Sequence, residues 1–194
     1  MTVVTRTLER AEDLTQLDAP ADALQRGLRG VLPDRSPVVA PLGGSWIGHP
    51  LHPALVVAPF GSWLSASVLD AIPGQEAAAK RMVLTGLFTV IPAALSGAVD
   101  FRKLSGSARR VGFIHLLVNV TGSLCYAASY VARRQGRHGI GRALALLGLA
   151  AIGTGGTLGG HLAYAQGVGV YRWQSERADP DRHTFAKTAP SAAA

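Results

Sequence analysis

The chain alternates between polar segments and four long apolar stretches that are almost free of charged residues. A helix rises about 1.5 Å per residue, so about 20 apolar residues cross a hydrocarbon core of ~30 Å. The pattern therefore predicts an all-α fold, an integral membrane four-helix bundle. The predicted spans run from about Pro53 to Ile72, from Met82 to Val99, from Val111 to Val131 and from Ala143 to Ala165.

The polar N-terminal segment carries a helical pattern of its own. Its apolar residues recur at alternating steps of three and four, which places one apolar stripe along a helix. Two interpretations stay open: a helical hairpin that contacts the bundle, or an amphipathic helix that lies on the membrane surface. The stripe consists of Leu14, Leu17, Ala21, Leu24, Leu28 and Val31.

Shifts in composition divide the chain into three parts. Residues 1–48 hold the N-terminal helical segment and a linker rich in proline, glycine and serine, which begins at Pro33. Residues 49–170 hold the four-transmembrane-helix domain. Residues 171–194 form a tail of low complexity, which is predicted to be disordered.

The distribution of charge indicates a lipid bilayer as partner and no nucleic acid. The formal net charge is +7, but the lysines and arginines flank the apolar spans, where such residues set topology and contact anionic lipid heads. Eight cations lie on the side of the N-terminus and six on the other side. This excess predicts an inner-membrane protein with both termini in the cytoplasm. The two sets are Arg35, Arg102, Lys103, Arg109, Arg110, Arg172, Arg177 and Arg182, and Lys80, Arg81, Arg133, Arg134, Arg137 and Arg142.

Cysteine and hydrolase motifs contribute little candidate chemistry. The one cysteine, Cys125, lies within an apolar span and excludes both an intramolecular disulfide and a cysteine-based zinc or iron–sulfur site. No Ser/His/Asp arrangement or glycine-rich phosphate loop is present in the sequence. The candidate chemistry therefore depends on the histidines.

Four histidines fall at one predicted depth of the bundle. His49 and His52 precede the first span, and His115 lies about four residues into the third. His161 lies about four residues before the end of the fourth. At about 1.5 Å per residue, His115 and His161 both lie roughly 6 Å inside the same membrane face. Because successive spans run in opposite directions, the sequence predicts that these histidines share one layer.

Polar residues accompany the histidines at helical spacing. Asp100 closes the second span on the same side, Asn119 follows His115 by four positions, and Thr157 precedes His161 by four. That spacing keeps a single helix face, and polar side chains in membrane helices normally face the bundle interior. The predicted cofactor ligands are His52, His115 and His161; the predicted metal ligands are these three and His49; and the predicted supporting residues are Asp100, Asn119 and Thr157.

Several chemistries remain open for such a layer. Imidazole is the commonest metal ligand, so three or four histidines could hold a transition-metal ion, and two could be axial ligands of haem b. A metal or proton transporter is a second interpretation, and a non-catalytic membrane anchor or assembly partner is a third. His138 and His183 lie in a basic connection and in the tail, and we expect both to be solvated.

Four motifs give the chain a family resemblance. It resembles the bacterial membrane family catalogued as domain of unknown function 2231 from about Pro33 to Val170, and its N-terminal segment resembles the lead-in of members fused to a Rieske iron–sulfur domain. The resemblance implies a four-span fold without a settled activity. The fusions imply electron transfer and favour haem over a bare ion. Because this chain has no Rieske ligands, a Rieske-type redox partner would be a separate chain. The motifs are GSWIGHPLHPALVVAPFGSW, SGAVDF, GFIHLLVN and LGGHLAYAQGVGV.

Overall fold

The computed structural model describes residues 2–170 of the chain, and this part is helical without a strand. Four of its helical segments are long and apolar enough to cross a membrane: His52–Asp70, Glu76–Phe101, Gly106–Arg134 and His138–Ala165. The predicted helical membrane bundle is thereby confirmed. The helices are α1 (Val3–Glu12), α2 (Asp18–Val31), α3 (Val39–Leu42), α4 (His52–Leu55), α5 (Val57–Asp70), α6 (Glu76–Phe101), α7 (Gly106–Arg134) and α8 (His138–Gly160), which a π-helical turn (His161–Ala165) continues.

Proline and glycine residues lie at positions of the helices and turns that their backbone conformations suit, with one exception inside α6. Pro53 lies in the first turn of α4, where its missing N–H costs no hydrogen bond. Gly74 turns the chain between α5 and α6 with a φ of 78°, a conformation that glycine adopts freely. Pro92 lies inside α6, which continues through it to Phe101.

The bundle consists of two helical hairpins. α5 packs along α6, α7 packs along α8, and the contact between the two hairpins is less extensive. Glycines bring α7 and α8 together: a Cβ at Gly122 would lie 2.8 Å from the Ile152 side chain and 3.1 Å from the Gly148 carbonyl oxygen. Small residues of this kind let membrane helices approach closely.

An aromatic pair fills the middle of the bundle. The rings of Trp63 on α5 and Tyr126 on α7 stack with centroids 4.2 Å apart and planes at 6°. Trp63 donates its indole N–H to the Val83 carbonyl at 3.2 Å. Both side chains are buried, so this stack joins the two hairpins halfway along their length.

The far end of the bundle, where α5 and α7 end, is closed by a buried ion pair. The Arg133 guanidinium donates to both carboxylate oxygens of Asp70, at 2.7 and 2.5 Å. Its Nε donates to the Ser129 hydroxyl at 3.1 Å, and that hydroxyl donates to the Gly141 carbonyl at 2.6 Å. One polar cluster therefore ties α5, α7 and α8 together.

The N-terminal end of the bundle is covered by α1 and α2, both of which contact α7. We call these two helices the N-terminal hairpin. Gln25 is buried and donates to the carbonyls of Phe101 and Leu104, at 2.8 and 2.9 Å. These bonds join α2 to carbonyls at the C-terminal end of α6 and in the connection after it, where helices leave carbonyls without a partner in the helix. Asp18 accepts from Arg110 on α7 through both carboxylate oxygens, each at 2.8 Å.

The predicted disordered tail, residues 171–194, lies outside the described residues, as do His183 and three of the cations counted for topology.

Candidate functional site

His52 is the first residue of α4 and is held against α6. Its Nδ1 lies 2.8 Å from the Ala93 carbonyl oxygen. Because a carbonyl only accepts, the Nδ1–H donates and Nε2 keeps a lone pair. Gly97 makes room for the ring, since a Cβ there would lie 2.9 Å from two of its atoms.

His115 on α7 is held in the same way against α8. Its Nδ1 donates to the Gly155 carbonyl oxygen at 2.8 Å, which again leaves Nε2 as the basic nitrogen. A Cβ at Gly159 would lie 3.1 Å from this ring, so the glycines of α8 admit the imidazole.

The two imidazoles meet between the hairpins. Their centroids are 6.1 Å apart and their planes are at 81°. His52 is anchored on α6 and His115 on α8, so each ring is fixed within its own hairpin and the pair spans the less extensive contact between them. We call His52 and His115 the histidine pair.

Asn119 lies against His115, next to the histidine pair. Its amide nitrogen donates to the His115 carbonyl at 2.7 Å and lies 3.3 and 3.4 Å from Nδ1 and Nε2 of the ring. A Cβ at Gly155 would lie 2.5 Å from the same amide nitrogen. Gly155 therefore supplies both the carbonyl that orients His115 and the space that Asn119 occupies.

His161 makes a different contact. In the π-helical turn after α8, its Nε2 lies 2.6 Å from a carboxylate oxygen of Glu12 on α1. His49 is exposed in the loop before α4. Within residues 2–170, no group of three or more His, Cys, Asp or Glu side chains is arranged to hold a metal ion. The structure thus brings together two of the predicted ligands, His52 and His115.

The other two predicted supporting residues lie apart from the rings' hydrogen bonds. Asp100 is half-buried in the last turn of α6, whereas the acceptors that orient the two imidazoles are main-chain carbonyls. Thr157 is exposed, and its hydroxyl donates to the Gly153 carbonyl at 3.2 Å. A threonine that bonds to its own helix in this way can face lipid, which is opposite to the interior orientation expected from its spacing.

Sequence reasoning missed the partners of the histidines. The acceptors for His52 and His115 are carbonyls of Ala93 and Gly155, which every residue carries and no motif marks. Glu12 lies at the end of α1, outside the apolar stripe that drew attention to the N-terminal segment. Its contact with His161 depends on how α1 docks, which no local pattern specifies.

Comparison with known proteins gives one match. The model of a family described as predicted membrane protein (DUF2231) matches residues 48–172, a range that contains the histidine pair and all four spans. No curated protein and no solved structure matches the chain.

Proposed function

This chain belongs to the DUF2231 family of predicted membrane proteins, and we propose that it is a membrane electron carrier that holds a haem b iron between His52 and His115. Haem supplies a one-electron redox couple when it is bound. His52 and His115 would supply two nitrogen ligands to its iron, and main-chain carbonyls fix the orientation of both rings.

The observation that carries the proposal is the separation of the two rings. A nitrogen ligand lies about 2.0–2.1 Å from a bound metal ion, and Nε2 lies about 1.1 Å from the imidazole centre. Two imidazoles that ligate one ion through Nε2 would therefore have centres no more than about 6 Å apart. The histidine pair has a centroid separation of 6.1 Å with its planes at 81°, which is at the upper end of the separation that two ligands of one ion would have.

The number of ligands favours haem over a bare ion. A bare ion such as zinc takes about four ligands, whereas the described residues around His52 and His115 offer no third candidate side chain of the usual kinds. Haem itself supplies four nitrogen ligands to its iron, so His52 and His115 would complete the set, a role that histidines commonly have. Two histidines are a complete set for haem and an incomplete one for zinc.

The orientation of the rings supports the same conclusion. Ligand histidines usually donate their other ring N–H to a carbonyl or carboxylate, which fixes the tautomer and makes the ligating nitrogen more basic. His52 and His115 both donate Nδ1–H to main-chain carbonyls at 2.8 Å. The two candidate ligands also come from different hairpins.

Transport of a metal ion or of protons is less well supported than electron transfer. A path across the membrane would need polar groups from the histidine pair to the far end of the bundle. Between Asn119 and Tyr126, α7 carries Gly122, which lies so close to Gly148 and Ile152 on α8 that a Cβ would collide. This packing leaves no room for a polar path along that helix face.

Electron transfer also needs a partner. The histidine pair lies toward the N-terminal end of the bundle, which we expect to face the cytoplasm of a bacterial cell because of the nearby cations. A separate redox protein would exchange electrons there, and the family resemblance makes a Rieske-type protein the first candidate.

The test is the optical spectrum of the full chain purified in detergent from haem-replete cells. We expect a Soret band that shifts on reduction with dithionite. His52→Ala and His115→Ala should each abolish or weaken it, while the matched controls His49→Ala and His161→Ala should retain it.

Two outcomes would overturn this proposal. A colourless protein with about one equivalent of zinc, copper or iron would refute haem and support a bare ion. A colourless, metal-free protein that remains folded would make the histidine pair a structural contact and the chain a membrane anchor or assembly partner.

A further inference from the structure

Arg102, at the C-terminal end of α6, is a buried cation with unused hydrogen-bond donors. Its residue surface is 3% exposed. One guanidinium nitrogen donates to Asp34 in the linker, but Nε and Nη1 are buried and have no hydrogen-bond partner among residues 2–170. Leaving buried donors unsatisfied is costly, and a guanidinium fork matches the oxygens of a phosphate. Arg102 therefore has the chemistry of an anion site.

Among the described residues, the hydrogen-bonding partner of this guanidinium is an exposed carboxylate. The Asp34 side chain is 88% exposed while that of Arg102 is 3% exposed. A bond between a buried cation and a solvent-exposed anion can exchange, because the carboxylate is readily rehydrated. Asp34 thus occupies a position that an external anion can take.

An apolar groove adjoins this anion site. Its volume is about 420 Å³ and it is open on one side. Leu32, which lines it, is two residues before Asp34, and two residues of chain span at most ~7 Å. The backbone of Asp34, whose carboxylate contacts Arg102, therefore lies within about 7 Å of a residue that lines the groove. Its lining residues are Leu32, Pro37, Val38, Pro41, Leu42 and Leu95.

The groove lies at a depth where lipid chains are found. Leu95 is six residues before Phe101, the end of α6, which corresponds to about 9 Å along the helix. It is 46% exposed on the outer surface of the bundle. The groove is thus open to the surface that faces the bilayer.

The linker wall of the groove is built for an apolar environment. The Leu42 carbonyl accepts from the Ser96 hydroxyl at 2.6 Å, and the Pro41 carbonyl accepts from the Trp46 indole at 3.2 Å. Irregular backbone tolerates membrane depth only when its polar groups are satisfied by protein. The wall can therefore contact hydrocarbon without exposing those carbonyls.

We propose that the groove and Arg102 together bind one anionic phospholipid. An acyl chain of the lipid lies in the groove, whose lining has no polar side chain that would recognise a polar ligand. The lipid phosphate displaces Asp34 and accepts hydrogen bonds from the Arg102 guanidinium. Basic pockets at the ends of membrane helices recognise anionic headgroups in this manner. This site does not depend on the proposed haem.

The experiment measures lipid binding to the full chain in detergent by native mass spectrometry, with thermal unfolding as a second readout. Phosphatidylglycerol should bind about fivefold more tightly than phosphatidylcholine with the same acyl chains. One cation near an anionic lipid head contributes a free energy that corresponds to about this ratio of affinities. Arg102→Gln should remove this preference, whereas Arg134→Gln, an exposed arginine at the far end, should leave it unchanged.

Two further variants separate a lipid site from a purely structural ion pair. Asp34→Asn removes the competing carboxylate and should strengthen phosphatidylglycerol binding. Leu95→Trp fills the groove and should weaken both lipids, whereas Leu117→Trp, at an exposed position on α7, should not.

Three outcomes would overturn the proposal. The first is equal binding of the two lipids. The second is an Asp34→Asn variant that loses stability without gaining lipid affinity, which would make the contact structural only. The third is full reproduction of the thermal shift by inorganic phosphate with no effect of Leu95→Trp, which would show an anion site without a lipid chain.

Discussion

The two ends of the bundle both carry buried polar side chains, but they satisfy them differently. At the far end, every guanidinium nitrogen of Arg133 has a partner, in Asp70 or Ser129. At the other end, His52 and His115 each use Nδ1 on a main-chain carbonyl and keep Nε2 as a lone-pair donor. The contacts of Arg133 are those of a cluster that stabilises the fold, whereas the histidine pair is the place where we propose a ligand.

The largest expected effect comes from breaking the buried ion pair between Asp70 and Arg133. Asp70→Asn leaves Arg133 buried with an uncompensated charge, which should lower the free energy of unfolding by ~3–5 kcal/mol. Denaturant or detergent titration followed by circular dichroism measures this loss. Arg134→Gln is the matched control, because Arg134 is exposed beside Arg133, and it should change stability by no more than ~0.5 kcal/mol. A small loss in Asp70→Asn would mean that water reaches Arg133.

A smaller effect is expected from a substitution next to the histidine pair. A Cβ at Gly155 would lie 2.5 Å from the Asn119 amide, so Gly155→Ala must push Asn119 away from the His115 ring. Overpacking of this kind costs ~1–3 kcal/mol. The same variant should weaken any Soret band, because it disturbs the orientation of His115.

Gly156 provides the control for that substitution. It is the next residue on α8 and has no neighbour within 4 Å of an added Cβ. Gly156→Ala should be neutral or stabilising by up to ~1 kcal/mol, since alanine favours the helix. Equal effects of the two substitutions would show that the loss reflects the flexibility of α8 and not the packing around the histidine pair.

The sequence predicted the positions of the spans better than the rotation of each helix about its axis. Four charge-poor stretches specify the spans, because an apolar helix of that length has one stable environment. Equal depth also predicted a layer containing His52 and His115, which the structure places 6.1 Å apart. Rotation about each helix was harder to predict. Thr157 shares a face with His161 by spacing, but its hydroxyl bonds within α8 and so carries no information about which side faces the interior.

Docking of separate elements lay beyond sequence reasoning. His161 meets Glu12 because α1 packs against the start of α7, and the contact joins residues 149 positions apart. The apolar stripe predicted that the N-terminal segment would seek an apolar surface, but not which one. The position of His161 thus depends on a tertiary contact that local periodicity does not contain.

The smallest expected effect concerns the ion pair between Asp18 and Arg110 at the N-terminal end, which is more exposed than the pair between Asp70 and Arg133 at the far end. Asp18 and Arg110 have side chains that are 31% and 19% exposed, whereas those of Asp70 and Arg133 are 10% and 0% exposed. The pKa of Asp18 lies below its usual value of 3.8, chiefly because of the hydrogen bond from Arg110; burial opposes this, and Arg109 adds to it. A carboxyl whose pKa is lower in the folded state stabilises it above the unfolded pKa, and that contribution disappears as the pH falls through the folded pKa.

Hydrogen exchange along α1 and α2 measures this contribution where it acts. On lowering the pH from 6 to below about 4, protection of the N-terminal hairpin should fall by more in the natural chain than in Asp18→Asn, which has no carboxyl to protonate. The exposed Glu9→Gln should behave like the natural chain. Added salt should reduce the difference, because partly exposed pairs are screened. If Asp18→Asn retained the full pH dependence, other groups would hold the hairpin on the bundle, and the contact with Arg110 would contribute nothing to docking.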